Sequence, residues 1–168
     1  MSTVAEFQQS LSRSDTESTV ITPETFTSTL MDVVDRPAVG AALPFDSVDL
    51  DDAPVTLNPT PAQLREAKTG VTAARLGVAS LGTVAIQSRA AGDELVSLHP
   101  KTHVVVVREC DLRPDLEAAF DWLDDRFDDG ERSFILATGA SATGDMGALV
   151  EGVHGPENVH VLVLADDE

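Results

Sequence analysis

Two short stretches hold residue types that could do chemistry. The first is TGASATGDM, Thr138 to Met146. It combines the hydroxyls of Thr138, Ser141 and Thr143 with Gly139 and Gly144, which free the backbone. The pattern predicts a buried strand over 133–138 before it and a short helix over 144–153 after it. The unpaired N–H groups of that helix start would point into the loop. Backbone donors, hydroxyl donors and an absence of bulky side chains make a cradle for an anion or a polar ligand. No Lys follows the glycines, so this is not a nucleotide P-loop. Asp145 would compete with a phosphate for the same N–H groups, and a neutral or cationic group, a metal-bridged ligand or a hydroxy acid suits it better. The plainer alternative is a strand–helix loop in which Thr143 caps the helix and Asp145 complements its dipole.

The second stretch is GVHGPENVHVLVL, Gly152 to Leu164. His154 sits in a Gly-His-Gly-Pro turn, and Gly155, preceding Pro156, must be extended or turned. If that turn approaches the 138–146 loop, His154 could serve as an acid/base or ligand donor near neutral pH. His160 falls second in the closing strand, where a structural role is expected. His99 and His103 bracket Pro100 ahead of VVVV. Extended, Pro-broken chain does not bring such a pair to one face, so this is not helical zinc spacing, and no HExxH pattern exists elsewhere. Cys110 is the single cysteine and follows a strand, but Glu109 and Asp111 flank it and disfavour the thiolate. One cysteine also rules out a cluster held by this chain alone, since such clusters take about four thiolates. The chain is expected to hold no cofactor of its own.

The elements that must position these stretches are legible from periodicity. Residues 3–14 read as an amphipathic helix with Val4, Phe7 and Leu11 on one face. Residues 22–34 read as a second, with Thr22 as N-cap and Pro23 at the first helical position. RPAVGAAL (36–43) reads as a short strand, and the Pro- and Asp-rich 44–59 as a loop or linker. PTPAQLREAKTG (59–70) reads as a helix. VTAARLGVASLGTVAIQS beyond it reads as strand, turn, strand, with Thr83–Gln87 the surer strand. THVVVVRE (102–109) suits a strand buried on both faces of a parallel sheet. RPDLEAAFDWLDDRF (113–127) is an amphipathic helix, and VHVLVLA (159–165) the last strand. Strands alternating with helices predict an open α/β sheet, whose ligands bind beyond the carboxyl ends of the strands. The organisation expected is an N-terminal helical/strand segment with an acidic loop over 1–60, then an α/β core over 61–168.

Charge narrows the functions further. The 168 residues carry 29 Asp plus Glu against 11 Lys plus Arg, a net charge of −18. Eighteen of the acids are Asp, and Lys68 and Lys101 are the only lysines. Such self-repulsion is relieved where salt shortens the Debye length to about 3 Å, at molar concentration. The composition is that of a halophilic cytoplasmic protein. Nucleic-acid binding, which needs clustered Lys and Arg, is not expected. No apolar run reaches the roughly 20 residues of a membrane span, and the start lacks the pattern of a signal peptide.

Taken in order, LGTVAIQS (81–88), LVSLHPKTHVVVV (95–107), TGASATGDM (138–146) and GVHGPENVHVLVL (152–164) resemble the LUD family, the lactate-utilisation domain, in its LutC-like branch. The likeness covers roughly residues 68–166. It implies a three-layer α/β/α fold with a mostly parallel sheet, like the NagB/RpiA/CoA-transferase group. It also implies a link to oxidation of L-lactate to pyruvate by a multi-subunit system, with iron–sulfur clusters in partner subunits. This chain departs from the family loop at Ala142 and Gly147, where Arg and Glu are usual, and so lacks the Arg that would clamp a carboxylate.

The expectation is therefore a non-cluster accessory subunit that binds a small organic acid or a partner surface. A homo-oligomer is compatible with it. Gly82 and Thr83 would shape the pocket wall, with Thr138 and Gly139 beside them. Ser141 and Thr143 would donate hydrogen bonds, Asp145 would orient the ligand or the loop, and His154 would act as acid/base. Two alternatives stay open. One is a stand-alone sugar-phosphate isomerase or acyl-transfer enzyme using Glu109 or Asp145. The other is a small-ligand sensor without catalysis.

Overall fold

The computed structural model describes residues 1–140, 142–145, 148–151 and 155–166. In chain order its elements are α1 (Thr3–Arg13), β1 (Glu17–Ile21), α2 (Pro23–Val33), β2 (Ala38–Gly40), β3 (Thr56–Leu57), α3 (Pro61–Glu66), β4 (Thr69–Ala73), β5 (Leu76–Val78), β6 (Thr83–Gln87), α4 (Asp93–Leu98), β7 (Thr102–Arg108), β8 (Leu112–Arg113), α5 (Leu116–Asp128), β9 (Phe134–Thr138), β10 (Ala142–Asp145), β11 (Ala148–Glu151) and β12 (Asn158–Leu164).

The helices start where side chains satisfy their first N–H groups. Ser2 Oγ accepts from Ala5 N at 3.1 Å at α1, and Asp115 Oδ1 from Ala118 N at 2.9 Å at α5. At α3, Thr60 and Gln63 cap each other reciprocally, at 2.9 and 3.2 Å. At α2, Pro23 occupies the first turn, where a missing N–H costs nothing.

Six parallel strands form the main sheet in the order β1-β12-β7-β4-β2-β3. The fold is α/β, as the alternation of strands and helices implies. The period of two divides the central strands between two layers. Val104, Val106, Leu162 and Leu164 face Phe26 and Leu30 of α2, together with Val48 and Leu50 of the acidic loop. Val105, Val107, Val161 and Val163 face Phe7 and Leu11 of α1 and Val84 and Ile86 of β6. Segment 1–60 thus contributes strands to the same sheet as β7 and β12. The pairing of β1 with β12 was not signalled by ESTVI, whose one fully buried position is Ile21.

Three features differ from the sequence expectation. Residues 83–87 and 134–138 are strands, but they stand in a separate four-stranded sheet, β8-β5-β6-β9, with β6 antiparallel to both β5 and β9. β9 is an edge strand and half-exposed, with Leu136 44% exposed. An apolar run of five residues reads alike whether one face or two are covered. The expected helix over 144–153 is instead the antiparallel pair β10–β11, in register from Ala142↔Glu151 to Asp145↔Ala148. Glycines at 144, 147 and 152 each cost a helix about 1 kcal/mol. The third difference is α4, anchored by Arg89, whose guanidinium binds the buried Asp93 at 2.8 and 3.1 Å and the Ala42 carbonyl at 2.7 Å.

The second sheet lies over α1's side of the main sheet, and α5 covers its outer face through Ala119 and Trp122 against Leu76, Val78 and Ala85. Gly70 lets α4 sit close. A Cβ there would stand 2.1 Å from the Val96 carbonyl oxygen and 3.1 Å from Pro100. Backbone cannot yield as a flexible side chain does, so Gly70→Ala should destabilise the protein by about 3 kcal/mol or more. Denaturant unfolding at constant salt measures this directly, and a loss under about 1 kcal/mol would mean that α4 does not pack there.

Candidate functional site

Between the two sheets lies a cavity of about 220 Å³. Its floor includes Val159 and Val161 of β12. Its roof includes Val84 and Ile86 of β6 and Ile135 and Ala137 of β9. α1 closes one end with Leu11, and the end of α4 closes the other with Ser97 and Leu98. The polar groups around it are few: Thr16, Ser97, His103 and Thr138. It sits near the amino ends of β7 and β12, not at the carboxyl rim where open α/β sheets usually bind. The added second sheet creates this interior space.

Several of the expected site residues meet here. Gly82, Thr138 and Gly139 line the cavity, as do Gly155 and Pro156, the described end of the Gly-His-Gly-Pro turn. Thr83 stands directly across from Thr138 in the β6–β9 ladder, their hydroxyls 2.6 Å apart on the face that carries Ala85 and Phe134 under α5, not on the face of Val84 and Ala137 that turns to the cavity. Gly82 is needed as glycine. Its φ is +66°, and a Cβ would meet Leu11 N at 2.9 Å. Thr143 and Asp145 fall in β10, not at a helix start, and the cradle built on a helix N-terminus does not form in the way expected. Ser141 and His154 lie outside the described residues.

Sequence reasoning passed over His103. It is 3% exposed and lines the cavity, and its Nε2 lies 2.7 Å from Thr72 Oγ1. The signal was its phase. His103 shares the strand face of Val105 and Val107, the face that turns to the second sheet. Thr72 is fully buried, and its hydroxyl has no other partner among the described residues. A buried hydroxyl proton needs an acceptor. The network therefore assigns Thr72 as donor to Nε2 and places the ring proton on Nδ1. Nδ1 has no partner among the described residues and is the ring nitrogen left to serve the cavity.

The other candidates lie elsewhere. His160 bonds Thr19 Oγ1 at 2.9 Å and faces Glu17 at 3.4 Å, on an outer groove. Burial lowers its pKa, against the opposing pull of Glu17. Cys110 is exposed, and burial of its sulfur followed by the Asp111 charge raises its thiol pKa. It is no ready nucleophile. Among the described residues no three His, Cys, Asp or Glu side chains converge as a metal site. No helix there is long and apolar enough to cross a membrane.

Burial drives the His103 pKa down from 6.5 to about 4. The unfolded chain takes up this proton near pH 6.5 and the folded chain only near 4. Stability is thus fully present above pH 6.5 and is lost as pH falls toward 4, by about 3 kcal/mol for this group. Unfolding free energies of wild type and His103→Gln, measured across that window, should diverge by about this amount. Parallel curves would show that His103 is not buried in its neutral form.

A family model for the LUD domain matches residues 51–164. Lactate utilization protein C of Deinococcus radiodurans is 31% identical over 105 residues, 61% of this chain and 49% of that protein. The match thus spans about half the length of that curated relative. A crystal structure of a DUF162 family protein, also from Deinococcus radiodurans, superposes with a TM-score of 0.70 over 96% of each chain at 18% identity, which shows a shared fold. The matched segment runs from the acidic loop through the last strand and carries most of the cavity wall. The chain belongs to the LUD domain family.

Proposed function

We propose that this chain serves a lactate-utilisation system as a component without a cluster of its own, and that it binds a small organic acid in the cavity between the sheets. One observation carries the ligand reading. Gly82, the Thr138–Gly139 corner and the Gly155–Pro156 corner, distant in sequence, converge on a single interior space with one buried imidazole. Apolar walls with a few placed polar groups are what small-molecule sites need. The likeness to lactate utilization protein C of Deinococcus radiodurans supports the pathway. Electrons from lactate would pass to iron–sulfur partner subunits, since Cys110 alone cannot hold a cluster. The dense acidity suits a cell interior at molar salt.

A sugar phosphate fits less well. No Lys or Arg is among the described residues lining the cavity, and none occurs in the sequence from 141 to 154. A dianion would lie there without a countercharge.

Two measurements test the reading. Affinity purification from native cells in molar salt should recover a Cys-rich, iron–sulfur partner. Recovery of the chain by itself would remove the accessory role. Thermal unfolding against organic acids should show a saturable rise in Tm for at least one. An acid at a hundred times its Kd adds about 2.7 kcal/mol.

A further inference from the structure

β9 ends the second sheet, and its outer edge is unpaired among the described residues. The ladder on its other side fixes the phase of that edge. Ser88 N donates to the Ser133 carbonyl at 2.9 Å, so Ser133, Ile135 and Ala137 turn their N–H and C=O groups to β6. Phe134, Leu136 and Thr138 turn theirs outward, where they meet no backbone partner among the described residues. Exposed edges are commonly guarded by a charge, a proline or a bulge. SFILAT has no charge and no proline, although 24% of the chain is charged, and its ladder to β6 runs without a bulge.

The face beside this edge is apolar as well. Leu116, Phe120 and Phe127 share one flank of α5, because steps of four and seven residues return nearly to the same side of a helix. Phe127 lies edge-on to Phe134 of β9, ring centroids 5.9 Å apart, so this flank overlooks β9. Leu136 stands on the same strand face as Phe134. Leu116 is 37% exposed, Phe120 52%, Phe127 43% and Leu136 44%. Together they leave roughly 300 Å² of apolar side chain open in one place, a size at which surface patches are often functional.

We propose that β9 pairs antiparallel with β9 of a second copy of this chain, about a twofold axis through Leu136, and joins two four-stranded sheets into one. The outward groups are arranged for it. With Leu136 opposite the partner's Leu136, Phe134 falls opposite the partner's Thr138. These are all hydrogen-bonding positions, so each pair exchanges both of its backbone bonds without a slip. The same rotation sets the two α5 helices on one face, with the Phe120 flanks turned toward each other. Each copy would bury its apolar patch, the edge of β9 and a polar rim, on the order of 700 Å², and two copies then reach the roughly 1,200–2,000 Å² of a stable interface. The pair also closes on itself. β8, at the far edge of the sheet, is two residues long and carries Arg113, so pairing does not run on into a fibre. Repulsion between two chains of charge −18 is screened at molar salt, where the Debye length is about 3 Å. The other face of β9, with Ile135 and Ala137, roofs the cavity, so the partner strand clamps that roof whatever the cavity binds.

Sedimentation equilibrium of the full chain in molar salt tests this. Wild type should be a dimer at about 10 μM. Leu136→Lys sets two ammonium groups side by side at the axis, and Phe120→Lys replaces an exposed ring outside the monomer's core. Each should raise the dimer Kd at least about thirtyfold, the factor for a central contact. Val20→Lys, 46% exposed but on β1, should leave Kd within about twofold. Cross-linking reads the register. In a Cys110→Ser background treated with oxidised glutathione, Leu136→Cys should give a covalent dimer, since hydrogen-bonded partners stand about 5.5 Å apart at Cα, within disulfide reach. Thr138→Cys should not, because it lies about 13 Å along the strand from its counterpart. Unchanged circular dichroism of Phe120→Lys shows that lost pairing is not unfolding. A wild type still monomeric at about 100 μM leaves the edge to a strand of another protein and overturns self-pairing. A dimer that survives both lysines, or one that cross-links at 138 and not at 136, overturns it too.

Discussion

β12 is hydrogen-bonded along its length to β7 on one side and to β1 on the other, and its two faces are both covered. A strand in that position can show no polar side chain that lacks a partner, because water reaches neither face. From Val161 to Leu164 every residue is apolar and buried. The same constraint acts on β7 from Val104 to Val107. At the amino ends of both strands the rule relaxes, and there the second sheet arches over them and leaves the cavity. The interior space is therefore a consequence of where the core stops being continuous, with α1 and α4 closing the two flanks.

His103 shows how the fold handles a polar group at that margin. A buried imidazole could have been paired with a carboxylate, of which this chain has many. Its partner is instead Thr72, a hydroxyl on the neighbouring strand. A carboxylate would hold the ring protonated and place an ion pair in the core, at a desolvation cost of several kcal/mol per ion. The hydroxyl fixes the tautomer and keeps the site neutral. No acid is among the described residues lining the cavity, and the buried Asp93 is neutralised by Arg89. A neutral cavity in a protein of charge −18 is one from which surface repulsion is kept away by distance and packing.

Much of the frame was legible in the sequence, because its strongest signals are local. Thr22-Pro23, Thr60-Pro61 and Pro114-Asp115 mark helix starts by chemistry that acts within four residues. The β-branched run at 104–107 marks a doubly covered strand for the same reason. What was hidden is pairing. Nothing in LGTVAIQS or SFILAT says that these strands pair antiparallel with each other and not with VVVV, since burial on one face and on two give the same apolar run. ESTVI was hidden because its partner β12 lies 140 residues away and supplies the apolar side of the pair. His103 was hidden for a related reason. Its phase along the strand was readable, but which face of the sheet would carry a cavity depended on where β6 and β9 went.

The motifs that carry the family likeness are also the ones that line the cavity. LGTVAIQS supplies Gly82, Val84 and Ile86, LVSLHPKTHVVVV supplies Ser97 and His103, TGASATGDM supplies Thr138 and Gly139, and GVHGPENVHVLVL supplies Gly155 through Val161. A likeness confined to the core would have tracked the buried valines and left these corners unmatched. The wall is not closed by those motifs alone. Leu11 and Thr16 come from the first 60 residues, outside the segment 51–164 that the family model matches. They border the end where Gly82 must remain glycine to admit α1. One face of the site is thus built from the matched segment and the opposing edge from residues outside it. Two proteins that share the first can differ in ligand through the second, without any change in the sheet that holds both.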